Sequence, residues 1–409
     1  MSQDKRPPLV SITLLIVGNA VGAGILGIPI KTGPAGAGPS LLGLLGVWLL
    51  MLASGWVLAL RLMAHPGRAG DLPTLYQREL GAWGKWLATA GYLVNYYGIM
   101  VAYLAGSTSV LHSLLGSSLS PQLCTLVFFV PATALALFGL KAVHRGNALI
   151  MVLLGLSFAA LVVLAGRQVQ WQRYQPADWA YFPATIPLML CSLAYHNIIP
   201  AACRALQWQR RAIMKALFWG TGLTLVLNLA WILVVLGSLP LEGPGPGTLA
   251  SALAANQPAT VPLAAALHSP LVIWLGLIFA LCAILTSYLA VATGLMGFWR
   301  DLAGGLLPRH DRWPLALMVF GPPLAVVYLY PDLFLKMLDL AGGVGIAVTF
   351  GLLPSLILLR AGAHRASRLL GLGMLVFFIL LLGLELAQEA GWLVIKPDLE
   401  SWKLAAPRP

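Results

Sequence analysis

Residues 17–26, Val-Gly-Asn-Ala-Val-Gly-Ala-Gly-Ile-Leu, put three glycines and an asparagine in the middle of the first apolar stretch. Glycine weakens a helix interior, and a bilayer supplies no water to satisfy the backbone groups that a break releases. Irregular backbone at that depth persists only where it lines a cavity or holds a ligand. The chain is therefore expected to fold around a break near Gly22.

The rest of the sequence gives that break its setting. Of 409 residues, 59% are hydrophobic and 9% charged, against roughly a quarter charged in soluble domains. Apolar stretches near 9–30, 39–63, 85–113, 121–140, 145–166, 183–203, 211–239, 269–299, 313–330, 332–359 and 367–392 predict an all-α integral membrane protein. About eleven transmembrane helices are expected. Residues 1–8 are basic and lead into an apolar run too long for a signal peptide, so the first helix is expected to be retained.

The net charge of +12 is a topology signal rather than a nucleic-acid footprint. With the N-terminus in the cytoplasm, about 18 Lys and Arg fall on that side and about six on the other. The expectation is N-in and C-out, with no nucleic-acid partner. Cys124, Cys191, Cys203 and Cys282 lack metal-ligand spacing and read as buried thiols. No paired-carboxylate centre suggests a membrane-embedded enzyme, no organic cofactor is implied, and no obligate protein partner is evident. A crowded aromatic midplane argues against a channel.

The sixth stretch, residues 186–200, is interrupted like the first. Ser192, Tyr195, His196 and Asn197 are polar at mid-membrane depth, and Pro200 lacks a backbone donor. Breaks in stretches one and six are how two five-helix repeats of inverted topology would begin, with substrate and coupling ion between them. The expected units are 1–166 and 183–359, then an additional helix at 367–392 and an extracytoplasmic tail at 393–409. The Gly-Pro-rich run 243–247 and the short helix after it are read either as a lid or as a passive connection.

Residues 22–27 match a dinucleotide-type Gly pattern but lack its strand–turn–helix setting. The segment has a better use. The second half-helix would offer N–H groups of Gly22, Ala23 and Gly24 to an amino acid carboxylate. Carbonyls near Asn19, Ala20 and Ser192 would accept its ammonium. In the eighth stretch, Thr286 and Ser287 set two hydroxyls on one helix beside that break. Such hard neutral oxygens suit sodium, although helix hydroxyls often bond back to their own carbonyls. In the third stretch, Tyr92, Asn95, Tyr96 and Tyr103 are available. Tyr96 or Asn95 is a candidate for reaching the substrate, and Tyr92 and Tyr103 read as packing.

Two resemblances follow. Residues 18–22 together with Ala283, Thr286 and Ser287 look like the sodium site of LeuT-fold neurotransmitter:sodium symporters. That likeness implies carbonyl ligands from Gly18, Val21 and Ala283 and hydroxyl ligands from Thr286 and Ser287. It also implies Tyr195 and Met189 against the substrate side chain, and an inner gate between Arg6 and Asp301. The whole chain more closely resembles the bacterial hydroxy/aromatic amino acid (tryptophan/tyrosine) permeases, through residues 21–26, 195–200, 285–289 and 231–240. This implies a LeuT-like 5+5 inverted repeat with broken helices 1 and 6 in a bacterial inner membrane. The expected activity is import of aromatic or large neutral amino acids. That family usually couples to protons, and Asn19 with the sodium-like cage departs from it. The expectation is sodium symport, with proton coupling through His196 as the alternative. Lys336 and Asp339, three apart, are expected to pair. Glu385 and Glu389, four apart on one face, are read either as a proton relay or as an outer-interface or oligomer position, the latter being the expectation.

Overall fold

A computed structural model describes residues 9–66, 71–115, 119–138, 140–302, 313–361 and 364–398, with side chains undescribed at 115, 140–148 and 301. Among them no strand forms. The helices in chain order are α1 (Leu9–Ala20), α2 (Ala23–Thr32), α3 (Ala37–Met63), α4 (Leu72–Leu80), α5 (Ala82–Leu115), α6 (Pro121–Phe138) and α7 (Leu140–Gly166). Next are α8 (Ile186–Ser192), α9 (Ile199–Ala205), α10 (Arg210–Ser238), α11 (Leu249–Ala254), α12 (Thr260–Leu267), α13 (Pro270–Leu302) and α14 (Trp313–Leu329). Last come α15 (Phe334–Leu340), a π-helical segment Ala341–Leu352, α16 (Leu353–Ala361) and α17 (Arg365–Glu389).

Each apolar stretch marked in the sequence coincides with a helix or a broken pair. Among the described residues eight helices are long and apolar enough to cross a membrane, and the bent pair α1–α2 makes a ninth. The shorter α14 and the tyrosine-rich α5 fill the other two stretches. The surface confirms the medium. Leu149, Leu156, Val226 and Leu380 point outward, whereas Asn95, His196, Asn228 and Glu385 are buried. Large apolar side chains outside and amides and carboxylates inside are what a hydrocarbon solvent selects.

The first break is sharp. α1 and α2 meet at 55°. Val21 donates to Val17 and Gly22 to Ala20, and Gly22 is then extended at φ −126°, ψ −150°. Gly24 allows α2 to press on α8, because a Cβ there would lie 2.7 Å from the Ser192 Cα. The second break is gentler. Helical bonding stops after Ser192, a 3-10 turn spans His196–Ile198, and α9 continues without a comparable bend. Pro200 opens α9, where its missing N–H costs nothing.

These half-helices form the centre of the molecule. α1 packs on α10, α2 on α8, and α5 on α13 and the π-helical segment. We call the end where α1 begins the near face, and the opposite end, bearing residues 167–181 and 239–269, the far face. There the Ala259 N–H donates to the Leu26 carbonyl, and Leu249 packs on Gly33. Helices α11 and α12 are thus fastened to the second half of the broken helix.

Candidate functional site

The two breaks face each other across one cavity. From α1 and α2 it is lined by Gly18, Asn19, Ala20, Gly22 and Gly24, and from the second break by Cys191, Ala194 and Asn197. Helix α5 adds Asn95, Tyr96, Ile99 and Tyr103, which fall within about 100° of arc at 100° per residue. Thr286, Ser287, Ala290 and Val291 of α13 complete the ring with Leu338 and Phe350. A hydrogen-bonded pair spans the cavity: Asn19 Nδ2 donates to Asn197 Oδ1 at 2.9 Å, and Asn197 Nδ2 to Asn19 Oδ1 at 3.1 Å.

At the first turn of α2 the N–H groups of Ala23 and Gly24 have no acceptor within the helix. The helix dipole adds partial positive charge there. Ser287 and Tyr103 close over this turn, so that a Cβ on Gly22 would lie 2.6 Å from Ser287 Oγ and 3.2 Å from the Tyr103 hydroxyl. Ser287 Oγ is buried without a hydrogen bond of normal geometry, beside the Tyr103 hydroxyl. The Thr286 hydroxyl instead bonds back to the carbonyls of Cys282 (2.9 Å) and Ala283 (3.2 Å).

The expected sodium ligands are therefore only partly brought together. Gly18, Thr286 and Ser287 share the cavity wall, whereas Val21 and Ala283 lie buried outside it. Among the described residues no three His, Cys, Asp or Glu side chains converge on a metal.

Met189 does not line the cavity: its methyl faces α3 at Gly43. Tyr195 also points into α3, where its hydroxyl donates to Met51 at 3.2 Å. His196 stacks on Phe350, with ring centres 4.6 Å apart, and against Tyr195 at 4.5 Å. It is fully buried and outside the cavity lining. Ser192 bonds back to Met189 and backs Gly24. The inner-gate residue Arg6 and the Asp301 side chain lie outside the described residues.

Among the lining residues that the sequence does not assign to the site, Asn197, Tyr103 and Phe350 matter most. Asn197 was visible only as one polar residue among several. Tyr103 was read as packing, and Phe350 gives no sequence signal beyond being apolar.

The charges also pair differently from the expectation. Asp339 takes Lys31 of α2, with Nζ to Oδ2 at 2.6 Å, and Lys336 takes Glu389 at 3.4 Å. On α15 the lysine sits almost a full turn from Asp339 and points outward, half exposed, while Asp339 faces the core. Glu385 is not at an interface but 4% exposed, wedged against Gly343.

A helical membrane protein with two interrupted helices around an aromatic, amide-rich cavity belongs to the class of multi-pass permeases. The particular family is equally plain: residues 5–388 match the tryptophan/tyrosine permease family, and the chain belongs to it. It is 27% identical to a tyrosine-specific transport system 1 of Haemophilus influenzae, over 94% of this chain and 98% of that protein. It is 28% identical to a tryptophan-specific transport protein of Pseudomonas aeruginosa, over 83% of each. A low affinity tryptophan permease of Escherichia coli is 23% identical over 85% of this chain and 86% of its own.

Proposed function

We propose that this permease imports tryptophan, tyrosine or a similarly large neutral L-amino acid by alternating access, in symport with sodium. One observation carries the reading: the free first turn of α2 opens into a cavity walled by Tyr96, Tyr103 and Phe350. The substrate carboxylate sits at the N–H groups of Ala23 and Gly24, and carbonyls near Ala20 and Cys191 receive the ammonium. The aromatic wall receives the side chain. The names of the relatives favour the same substrate class.

The architecture is taken as LeuT-like, two inverted five-helix repeats, with the N-terminus cytoplasmic and the C-terminus outside. In this orientation the buried Lys31–Asp339 pair ties α2 to α15 on the outer side of the cavity. The solvent-accessible Asn197 lies on its inner side. The conformation then corresponds to a state closed to the outside. Sodium, held by the Gly18 and Val21 carbonyls with Ala283, Thr286 and Ser287, draws α1 onto α13. Its higher affinity for the drawn-together state supplies the coupling. The Ser287 hydroxyl, not bonded back to its own helix, supports this, and Thr286 joins by turning from its own helix.

A second reading is proton coupling. His196 is placed poorly for it, stacked behind the cavity wall. The observation that favours it is Glu385, buried within electrostatic reach of Asp339 and Lys31. Uptake of labelled tryptophan and tyrosine into proteoliposomes, under separately imposed sodium and proton gradients, decides between them. Sodium-driven uptake lost in Thr286→Ala/Ser287→Ala supports the first reading. Proton-driven uptake in sodium-free buffer replaces it with the second, and uptake of neither amino acid removes the substrate assignment.

A further inference from the structure

Asn95 is 6% exposed, and its Oδ1 makes no hydrogen bond among the described residues. Buried side-chain acceptors are satisfied in the large majority of cases, so an exception on a cavity wall needs a reason. This one is fixed in place. A Cβ on Gly345 would lie 2.7 Å from both the Cβ and the backbone N of Asn95, so α5 and the π-helical segment meet almost backbone to backbone. Gly91 and Gly98 make similar approaches one turn to either side, against Thr349 and Ala341. The amide has little freedom to find another partner.

The surroundings define what partner fits. Tyr96, Ile99 and Phe350 flank Asn95 on the cavity wall, and Tyr92 stacks behind Tyr96 with ring centres 5.7 Å apart. Together they offer aromatic and apolar surface against which a flat ring can lie. A carbonyl oxygen repels a carboxylate, and the first turn of α2 lies beside Tyr103, two helical turns along α5. With the ammonium assigned to the carbonyls near Ala20 and Cys191, the substrate group left to lie against these rings and donate to Oδ1 is a donor carried on the ring itself.

We infer that Asn95 selects among aromatic substrates by accepting a hydrogen bond from the indole N–H of tryptophan or the phenol O–H of tyrosine. The inference rests on the aromatic-permease reading above and adds a rule to it. Ring size and stacking admit a substrate, and the ring-borne donor ranks it. A site built around a polar partner rejects an analogue lacking that group far better than a hydrophobic pocket rejects a change of one methylene.

The test compares matched substrates in proteoliposomes. Tryptophan is set against 3-benzothienyl-alanine, in which sulfur replaces the indole N–H, and tyrosine against phenylalanine. Tryptophan and tyrosine uptake by the unaltered protein is read first, because its failure removes the aromatic-permease reading and the inference together. Given uptake, kcat/KM should favour each donor-bearing substrate over its partner by about tenfold or more. In Asn95→Leu both ratios should fall to within about twofold, the donor-bearing substrates losing more than their partners. Asn95→Ala, measured in parallel, guards against a packing defect peculiar to leucine.

A ratio near one in the unaltered protein overturns the inference while leaving the permease reading intact. Equal loss of all four substrates in both variants also overturns it, because that is the signature of a structural amide or of one holding the common ammonium. Loss confined to one donor-bearing substrate identifies whether the indole or the phenol is the one read.

Discussion

Asn19 and Asn197, 178 residues apart, exchange both of their side-chain hydrogen bonds, at 2.9 and 3.1 Å, and so join the two helix breaks directly. Each amide uses a donor and an acceptor on the other, an arrangement neither an aspartate nor a serine reproduces. The breaks are thereby coupled: a rotation of α1 that separates the pair also releases the 3-10 turn before α9.

A double-mutant cycle measures that coupling. Asn19→Ala or Asn197→Ala alone should lower thermal stability by about 0.5–1.5 kcal/mol, the net worth of hydrogen bonds whose remaining partner can turn to water, Asn197 being exposed. Asn19→Ala/Asn197→Ala should cost less than the sum, with an interaction term of about 0.5–3 kcal/mol. Strict additivity in detergent-solubilised protein would show that the pair carries no energy.

The Lys31–Asp339 pair leads to a larger effect. Its side chains are 16% and 13% exposed, so removing one charge leaves the other buried and uncompensated. Lys31→Met is expected to cost about 3–5 kcal/mol, and Lys31→Met/Asp339→Leu to recover most of it. Unfolding temperatures of the three proteins check this. If Lys31→Met alone matched the unaltered protein, Asp339 would have another partner when Lys31 is gone.

How much of this was legible in the sequence differs from feature to feature. The break at Gly22 was legible because glycine density inside an apolar run is a local property. The eleven apolar stretches were legible for the same reason. Tertiary choices were not. The spacing of Lys336 and Asp339 pointed to each other, but Asp339 faces the core and takes Lys31 from 308 residues away. Met189 and Tyr195 sit close to a break, yet the helix face of Met189 and the non-helical backbone at Tyr195 turn both toward α3. Tyr103 was indistinguishable from a packing tyrosine until α13 brought Ser287 beside it. The π-helical widening at Ala341–Leu352 has no period that a sequence displays, and it is where Gly345 admits Asn95.

Glycines at close approaches provide a matched pair. A Cβ at Gly24 would meet the backbone of Ser192 at 2.7 Å, which no rotamer change relieves, whereas one at Gly38 meets nothing within 4 Å. Gly24→Ala should cost about 1–3 kcal/mol and sharply reduce uptake. Gly38→Ala, inside α3, should be neutral or stabilising by up to about 1 kcal/mol. Thermal unfolding and tryptophan uptake on both variants test this. Equal behaviour would mean that α2 does not press on α8 as closely as the structure has it.

The two hydroxyls of α13 should not contribute equally to ion coupling. Thr286 already satisfies its hydroxyl on Cys282 and Ala283, so binding an ion through it means giving up those bonds. Ser287 makes no bond back to its own helix, has only the Tyr103 hydroxyl beside it and already faces the first turn of α2. Under sodium coupling, Ser287→Ala should raise the sodium concentration for half-maximal uptake by about tenfold or more, equivalent to about 1.4 kcal/mol. Thr286→Ala should raise it by a smaller factor. Thr286→Val, which removes the hydroxyl but keeps the branched shape, separates packing from ligation. A larger effect from Thr286 than from Ser287 would mean that the threonine turns inward on sodium binding and the cage closes more completely than this conformation displays. Sodium activation unchanged in every variant would assign both hydroxyls to helix packing and move the ion site away from α13.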